Sequence, residues 1–417
     1  GPKRRRKSQQ RRTNPMSDYL RRNVWLVILA GFLVSSLSMG IRQNLGLFLP
    51  PMTVDLKLGR EAFAFAMALQ NILWGVFTPL IGVVADKWGS GKMIVLGAVV
   101  YASGLAVMAN ADGSADLNLG GGLLMGFAQA ATGFAVVLGA VARRVPAHKR
   151  SLALGVASAG GSFGQFYMAP VSQGLIGAIG WGTALLYIAA LATVMAVLAA
   201  ALTGKASDVT EGDANQTIGE AVREAGRHSG YLYLTAGFFV CGFQISFVAV
   251  HLPAFLQDLG FGLETGAIAI ALIGLFNIVG TYGAGALGGR YSKKYLLSSL
   301  YFLRALVIAV FLVMPKTEMA VLVFAAALGI LWLGTVPLTS GLVGQIFGVR
   351  YMSTLFGIVF LSHQLGSFIG VWWGGVAFDT TGSYDQVWMA SIVLGIAAGL
   401  LHLPIAEAPL RPLPQET

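Results

Sequence analysis

GVVADKWGSGKMIVL, Gly82 to Leu96, sets Asp86, Lys87 and Lys92 around Gly89 and Gly91, with long apolar runs on either side. A degenerate second copy, GALGGRYSKKYLL, stands at Gly285 to Leu297. Further out the correspondence continues: GFLVSSLSMGIRQNLGLFLPPM from Gly31 and GFFVCGFQISFVAVHLPAFL from Gly237 share a GF-x-V opening and a Leu-Pro near the end. The longest polar connection, Gly204 to Gly230, lies between the two copies. The chain is a duplication, and each copy is apolar nearly throughout.

Of the 417 residues 56% are hydrophobic, 11% are charged and 55 are glycine, which excludes a soluble globular domain. Twelve apolar runs, at 24–49, 62–85, 92–110, 120–142, 152–176, 182–203, 231–256, 265–288, 295–314, 319–345, 354–377 and 386–404, are each long enough to cross a hydrocarbon core of ~30 Å as a helix. The expected fold is an all-α membrane protein: twelve transmembrane helices in two pseudo-symmetric six-helix bundles, 16–203 and 231–404. A cytoplasmic linker, 204–230, joins them, and 405–417 is a cytoplasmic tail. Within the linker, Ile218, Ala221, Val222 and Ala225 are spaced as one face of a short surface helix. Residues 1–15 open with a Gly-Pro resembling a protease-cleavage scar and read as an expression-tag remnant, or else as a basic arm for anionic lipid.

Of the 28 Lys and Arg, 23 fall on the side of the two termini, and only Lys57, Arg60 and Lys316 on the other. The positive-inside rule therefore places both termini in the cytoplasm of a bacterial inner membrane, and still does, 14 against 3, without the nine charges before the first span. The single cysteine, Cys241, allows no intrachain disulfide.

A repeated six-span unit is the signature of a secondary transporter that holds its cargo between halves. The loop GVVADKWGSGK after span two also resembles the major facilitator superfamily pattern G-x-L-a-D-r-x-G-r-[KR], which that superfamily repeats, degenerate, in its second half. RRVPAHKRSLALG, Arg143 to Gly155, resembles its basic turn between spans four and five. The likeness extends over 17–410, with two departures: Gly289 replaces Asp86 in the second copy, and Ser90 stands where a basic residue is common. The family's cytoplasmic latch is then expected at Asp86 with Lys87, Lys92 and Arg290. Within the superfamily, SMGIRQNLGLFLPPM and GFQISFVAVHLPAFL look most like bacterial members of the monocarboxylate or oxalate–formate porter branch. That branch typically also keeps a cation in span eight, and none stands here.

Arg42 and Arg304 lie inside spans, whereas all 18 acids lie in loops, tails or helix ends, Asp86 and Asp379 coming nearest the hydrocarbon. A guanidinium at the middle of a membrane costs roughly 3 kcal/mol on insertion scales and does not deprotonate. With no fixed carboxylate at that depth, the partner expected for Arg42 is an anionic cargo, which its planar fork fits; the alternative is an arginine satisfied by helix-end carbonyls. For Arg304, on a span that lies outside the cavity in the superfamily, carbonyl capping and ligand contact both stand. Polar candidates for the rest of the substrate site are Gln70, Asn71, Gln129, Gln165, Tyr167, Gln244, Asn277, Tyr282, His363 and Gln364, although amides and hydroxyls within lipid often only hold helices together.

With carboxylates absent, His363, and behind it His251, are the candidates for proton coupling, against a neutral histidine that only bonds another helix. Proton symport carried by the substrate, or exchange against a counter-anion, are the other routes. The glycine stretches ASAGGSFGQF in span five and GSFIGVWWGG in span eleven read as close helix contacts rather than nucleotide loops. Neither a metal-ligand cluster nor a nucleic-acid motif is apparent, and no cofactor or catalytic residue is expected. The leading reading is a monomeric carrier of small organic anions, chiefly monocarboxylates. An exporter of amphipathic drugs lacks its usual membrane acid here, and a non-transporting sensor has no need of the intact first loop.

Overall fold

The computed structural model describes residues 23–58, 60–208 and 216–410. The segment 1–15, the linker centre at 209–215 and the tail end at 411–417 lie outside the described residues. The spanning helices are α1 (Val24–Gln43), α2 (Arg60–Trp88), α3 (Ser90–Ala109), α4 in two pieces (Met125–Thr132 and Phe134–Arg144), α5 (Ala147–Ile179) and α6 (Trp181–Ala192, continued by Val194–Leu198). The second half repeats them as α7 (Ser229–Asp258), α8 (Leu263–Gly288), α9 (Lys293–Val313), α10 in two pieces (Glu318–Ile330 and Thr335–Phe347), α11 (Met352–Thr381) and α12 (Asp385–His402). Among the described residues there is no strand.

Eleven of the twelve are long and apolar enough to cross a membrane. The exception is α5, whose 33 residues span about 50 Å at 1.5 Å per residue but are diluted by glycine, serine and glutamine. That dilution has a packing cause. A Cβ on Gly160 would stand 2.2 Å from Phe32 O, and one on Gly164 1.9 Å from Ser36 O, so α5 lies backbone to backbone on α1. In the second half Gly366 and Gly370 of α11 do the same to Phe239 and Phe243 of α7, at 2.0 and 2.4 Å. Without a hydrophobic drive between helices in lipid, such close approach supplies the van der Waals contact that holds them.

Turns between neighbouring spans are tight. Gly89, the single residue between α2 and α3, has φ +107, and Gly180 between α5 and α6 has φ +77, conformations that a side chain opposes. The starts of α1 and α10 are capped by side chains: Asn23 accepts from Trp25 N, and Thr317 from Ala320 N. The linker forms a helix at Ile218–Arg227 with a reciprocal capping box between Thr217 and Glu220. It is pinned to the second half by Tyr351, whose hydroxyl donates to Gln216 O at 2.6 Å.

The halves meet along α2 against α11 and α5 against α8. Gly155 and Gly285 face one another so closely that a Cβ on either would reach the other's Cα at 2.6 or 2.4 Å, and the Ser151 hydroxyl donates to Gly285 O at 2.8 Å. These contacts are near the end of the molecule that carries the α2–α3 turn, the Asp86 end.

Candidate functional site

Arg42 occupies the last turn of α1, and its side chain reaches across to α2. Nη2 donates to Asn71 Oδ1, and the guanidinium carbon lies 4.7 Å from the centre of the Trp74 ring. Asn71 and Trp74 are three residues apart and so share a helix face. Trp74 packs on Phe360 of α11, centroids 4.9 Å apart, and Phe360 stacks on His363 at 5.4 Å with planes 7° apart. His363 Nδ1 is 3.2 Å from Gln364 Oε1, and Gln364 Nε2 donates to Asn71 O at 3.4 Å. The six residues close a circuit, its last link through the Asn71 backbone carbonyl, that passes from one half to the other twice, near the middle of α2 and α11.

The circuit is short of acceptors. Among the described residues Arg42 Nε and His363 Nε2 are buried without a hydrogen-bond partner, and the guanidinium's one protein acceptor is a neutral amide. A cation over an indole gains about 0.5–2 kcal/mol, which does not replace a counter-charge. Arg42 is thus a buried-side cation held ready in orientation and incompletely neutralised.

The other candidates separate from it. Arg304 is 1% exposed, and although its Nε, like that of Arg42, has no partner, its two terminal nitrogens are spent on the protein: Nη1 donates to Gln244 Oε1 at 3.0 Å, and Nη2 to Leu331 O and Trp332 O at 2.6 and 2.8 Å. Those carbonyls are freed where α10 breaks, so Arg304 closes a helix end. Gln244 donates in turn to Ser391 O at 2.7 Å, Gln70 to Gly121 O at 2.8 Å, and Gln129 to Ser38 O and the Tyr101 hydroxyl at 3.1 and 2.9 Å. Each ties helices within one half. Asn277 ties the halves together: Nδ2 donates to Ser162 Oγ at 2.7 Å, while Oδ1 accepts from Thr281 Oγ1 and Leu333 N at 2.9 and 3.0 Å.

Gln165 and Tyr167 lie on α5, where Gln165 O accepts from Asn44 Nδ2 at 3.1 Å and Tyr167 packs on Phe163 at 5.3 Å. Tyr282 is 50% exposed, on the apolar stripe of Ile268, Leu275 and Val279, because five residues of helix turn it away from Asn277. His251 Nε2 is 2.9 Å from Val371 O, and its ring abuts Phe247 and Tyr384, joining α7 to α11.

At the Asp86 end the grouping differs from the expected one. Asp86 is fully buried and pairs with Arg143 at 2.6 Å, and its other oxygen accepts from Thr354 N and Thr354 Oγ1, both at 2.7 Å. Arg143 also donates to Ser90 and, at 3.4 Å, to Ser353. Lys87, Lys92 and Arg290 are exposed, and Lys87 lies over Trp88 instead. One residue along a helix is a rotation of about 100°, so Lys87 cannot share the face of Asp86. Of the residues that the sequence did not single out, Trp74, Phe360, Ser353 and Thr354 carry no charge or motif to mark them. Arg143 lay within the basic turn.

The family model described as Major Facilitator Superfamily matches residues 28–371. The chain belongs to the major facilitator superfamily. It is a multi-pass membrane transporter, not an enzyme. Similar curated proteins include rat monocarboxylate transporter 13, 24% identical over 91% of this chain and 89% of that one, and mouse monocarboxylate transporter 11, 26% identical over 92% and 88%. An uncharacterized MFS-type transporter of Bacillus subtilis is 24% identical over 92% of this chain and 95% of its own length. Among solved structures, that of the E. coli fucose:proton symporter superposes with a TM-score of 0.69 at 14% identity, covering 91% of this chain and 99% of that one. That likeness places the twelve helices in the superfamily fold.

Proposed function

We propose that this major facilitator moves small organic anions, chiefly monocarboxylates, by alternating access, with Arg42 as the cation that receives the carboxylate. The observation that carries the reading is the circuit itself: a guanidinium oriented by Asn71 and Trp74, with a buried Nε unpartnered and no carboxylate beside it among the described residues. An incoming carboxylate supplies the charge and acceptors that are missing. The names of the relatives in the monocarboxylate group agree with this. His363, whose Nε2 is unpartnered in the same circuit, is the group through which a proton accompanies the anion; exchange against a second anion is the other route. The charge asymmetry of the loops supports a bacterial inner membrane with both termini cytoplasmic.

Uptake of radiolabelled short-chain monocarboxylates into proteoliposomes tests the reading. Saturable uptake is expected, and Arg42→Gln should weaken it at least roughly 30-fold, the equivalent of about 2 kcal/mol, while Arg42→Lys keeps part of it. Wild-type uptake by the Gln variant would falsify the role. His363→Gln should preserve anion exchange yet abolish accumulation driven by a pH gradient; unchanged accumulation assigns coupling elsewhere.

A further inference from the structure

The second half carries a cavity between α9 and α10, away from the Arg42 circuit. α9 and the first piece of α10 diverge toward the loop at Met314–Thr317, leaving a cleft of about 480 Å³ between them. Leu306, Val310 and Phe311 of α9 and Ala320, Val323 and Phe324 of α10 line it. Its base holds the stacked pair Phe311 and Phe324, centroids 4.0 Å apart with planes at 14°. From Met314 down to Leu306 the cleft runs roughly 12 Å along the helix.

Position and charge identify the occupant. Leu306, Val310, Met319 and Val323 are exposed on this face, which the fold turns to the bilayer, so the cleft opens into acyl chains. Lys316 stands at its upper rim, with Nζ 5.4 Å from the centre of the Phe311 ring, donating to Leu312 O and Met314 O at 2.8 Å each. An ammonium has three donors, and these two carbonyls take two of them. Lys316 is one of only three cations on its side of the membrane. A lone lysine snorkelled to the interface above an apolar slot matches a lipid phosphate above its acyl tail.

We propose that the cleft between α9 and α10 is a binding site for a glycerophospholipid, one acyl chain lying on Phe311 and Phe324 and the phosphate paired with Lys316. The site is separate from the Arg42 circuit and does not depend on what the carrier transports.

Purified protein in vesicles containing phosphatidylglycerol with a photoreactive diazirine in its acyl chain provides the test, with cross-links mapped by peptide mass spectrometry. Labelling is expected to concentrate on 306–327. Unlabelled phosphatidylglycerol should compete for it at least several-fold better than diacylglycerol with the same chains, because only the former offers a phosphate. Lys316→Ala should abolish that preference and leave residual labelling, and Ala327→Trp, which fills the cleft, should remove the label. A size-exclusion profile and thermal melt of Ala327→Trp verify that this variant is folded. Labelling spread evenly over the lipid-facing helices overturns the proposal, as does equal competition by the two lipids in the wild-type protein, which would leave only nonspecific apolar contact.

Discussion

Two arginines lie within the spans, and they are treated in opposite ways. Arg304 meets three acceptors and is 1% exposed, whereas Arg42 is half-buried and meets one amide and an indole. Arg304→Met should therefore lower the melting temperature, since the Leu331 and Trp332 carbonyls lose their donor at about 1–3 kcal/mol. A thermal melt in detergent checks this, and substrate affinity of the surviving folded fraction should be near wild type. Trp74→Leu should do the reverse, weakening substrate binding a few-fold by loosening the guanidinium that the ring orients, at about 0.5–1 kcal/mol, with a smaller effect on the melt. Charge in hydrocarbon made Arg42 legible in the sequence. The amides were less so: Gln70, Gln129 and Gln244 carry the same chemistry as Asn71, and only the packed structure shows that their partners are backbone and side chains of neighbouring helices.

At the scale of elements, the spans were legible because an apolar run of about 20 residues has few other uses. Which face of each span looks inward was not, because a helix that is apolar all round has no polar side to orient it. Tyr282, exposed on the face of α8 opposite Asn277, is one residue whose direction the pattern leaves open. Glycine gives a sharper signal. Gly164→Ala must push α5 off α1, its Cβ arriving 1.9 Å from Ser36 O, whereas a Cβ at Gly174 on the same helix meets nothing within 4 Å. The first substitution should cut the yield of folded protein severely and the second should be near neutral, read by size-exclusion profile and thermal melt; equal tolerance would show that the two helices are not in backbone contact.

Over the whole molecule, the internal repeat gave away the two halves, yet the junction between them is asymmetric. Asp86 has no counterpart at Gly289, so among the described residues one charged cluster, Asp86 with Arg143, Ser353 and Thr354, joins the halves at this end, beside the Ser151–Gly285 contact. The motif marked Asp86 in the sequence but not the partners that it meets here, because Arg143 and Thr354 come from 57 and 268 residues away. Asp86→Asn leaves Arg143 buried without its counter-charge, a cost of about 3–5 kcal/mol to this closed arrangement. A cysteine pair across α2 and α11 at that end should then cross-link more slowly, and cysteines placed in the seam should be modified faster; unchanged rates would show that the ion pair does not hold the halves together.

The amide of Asn277 has a consequence of another kind. One atom holds the unwound turn of α10 through Leu333 N, and another holds the opposite half through Ser162. Parting α5 from α8 at this depth strips a buried donor of its acceptor, at about 1–3 kcal/mol, unless water arrives to take it. Separating the halves at this depth therefore either wets a dry seam or leaves that donor unmet, and the same side chain links the event to the break in α10.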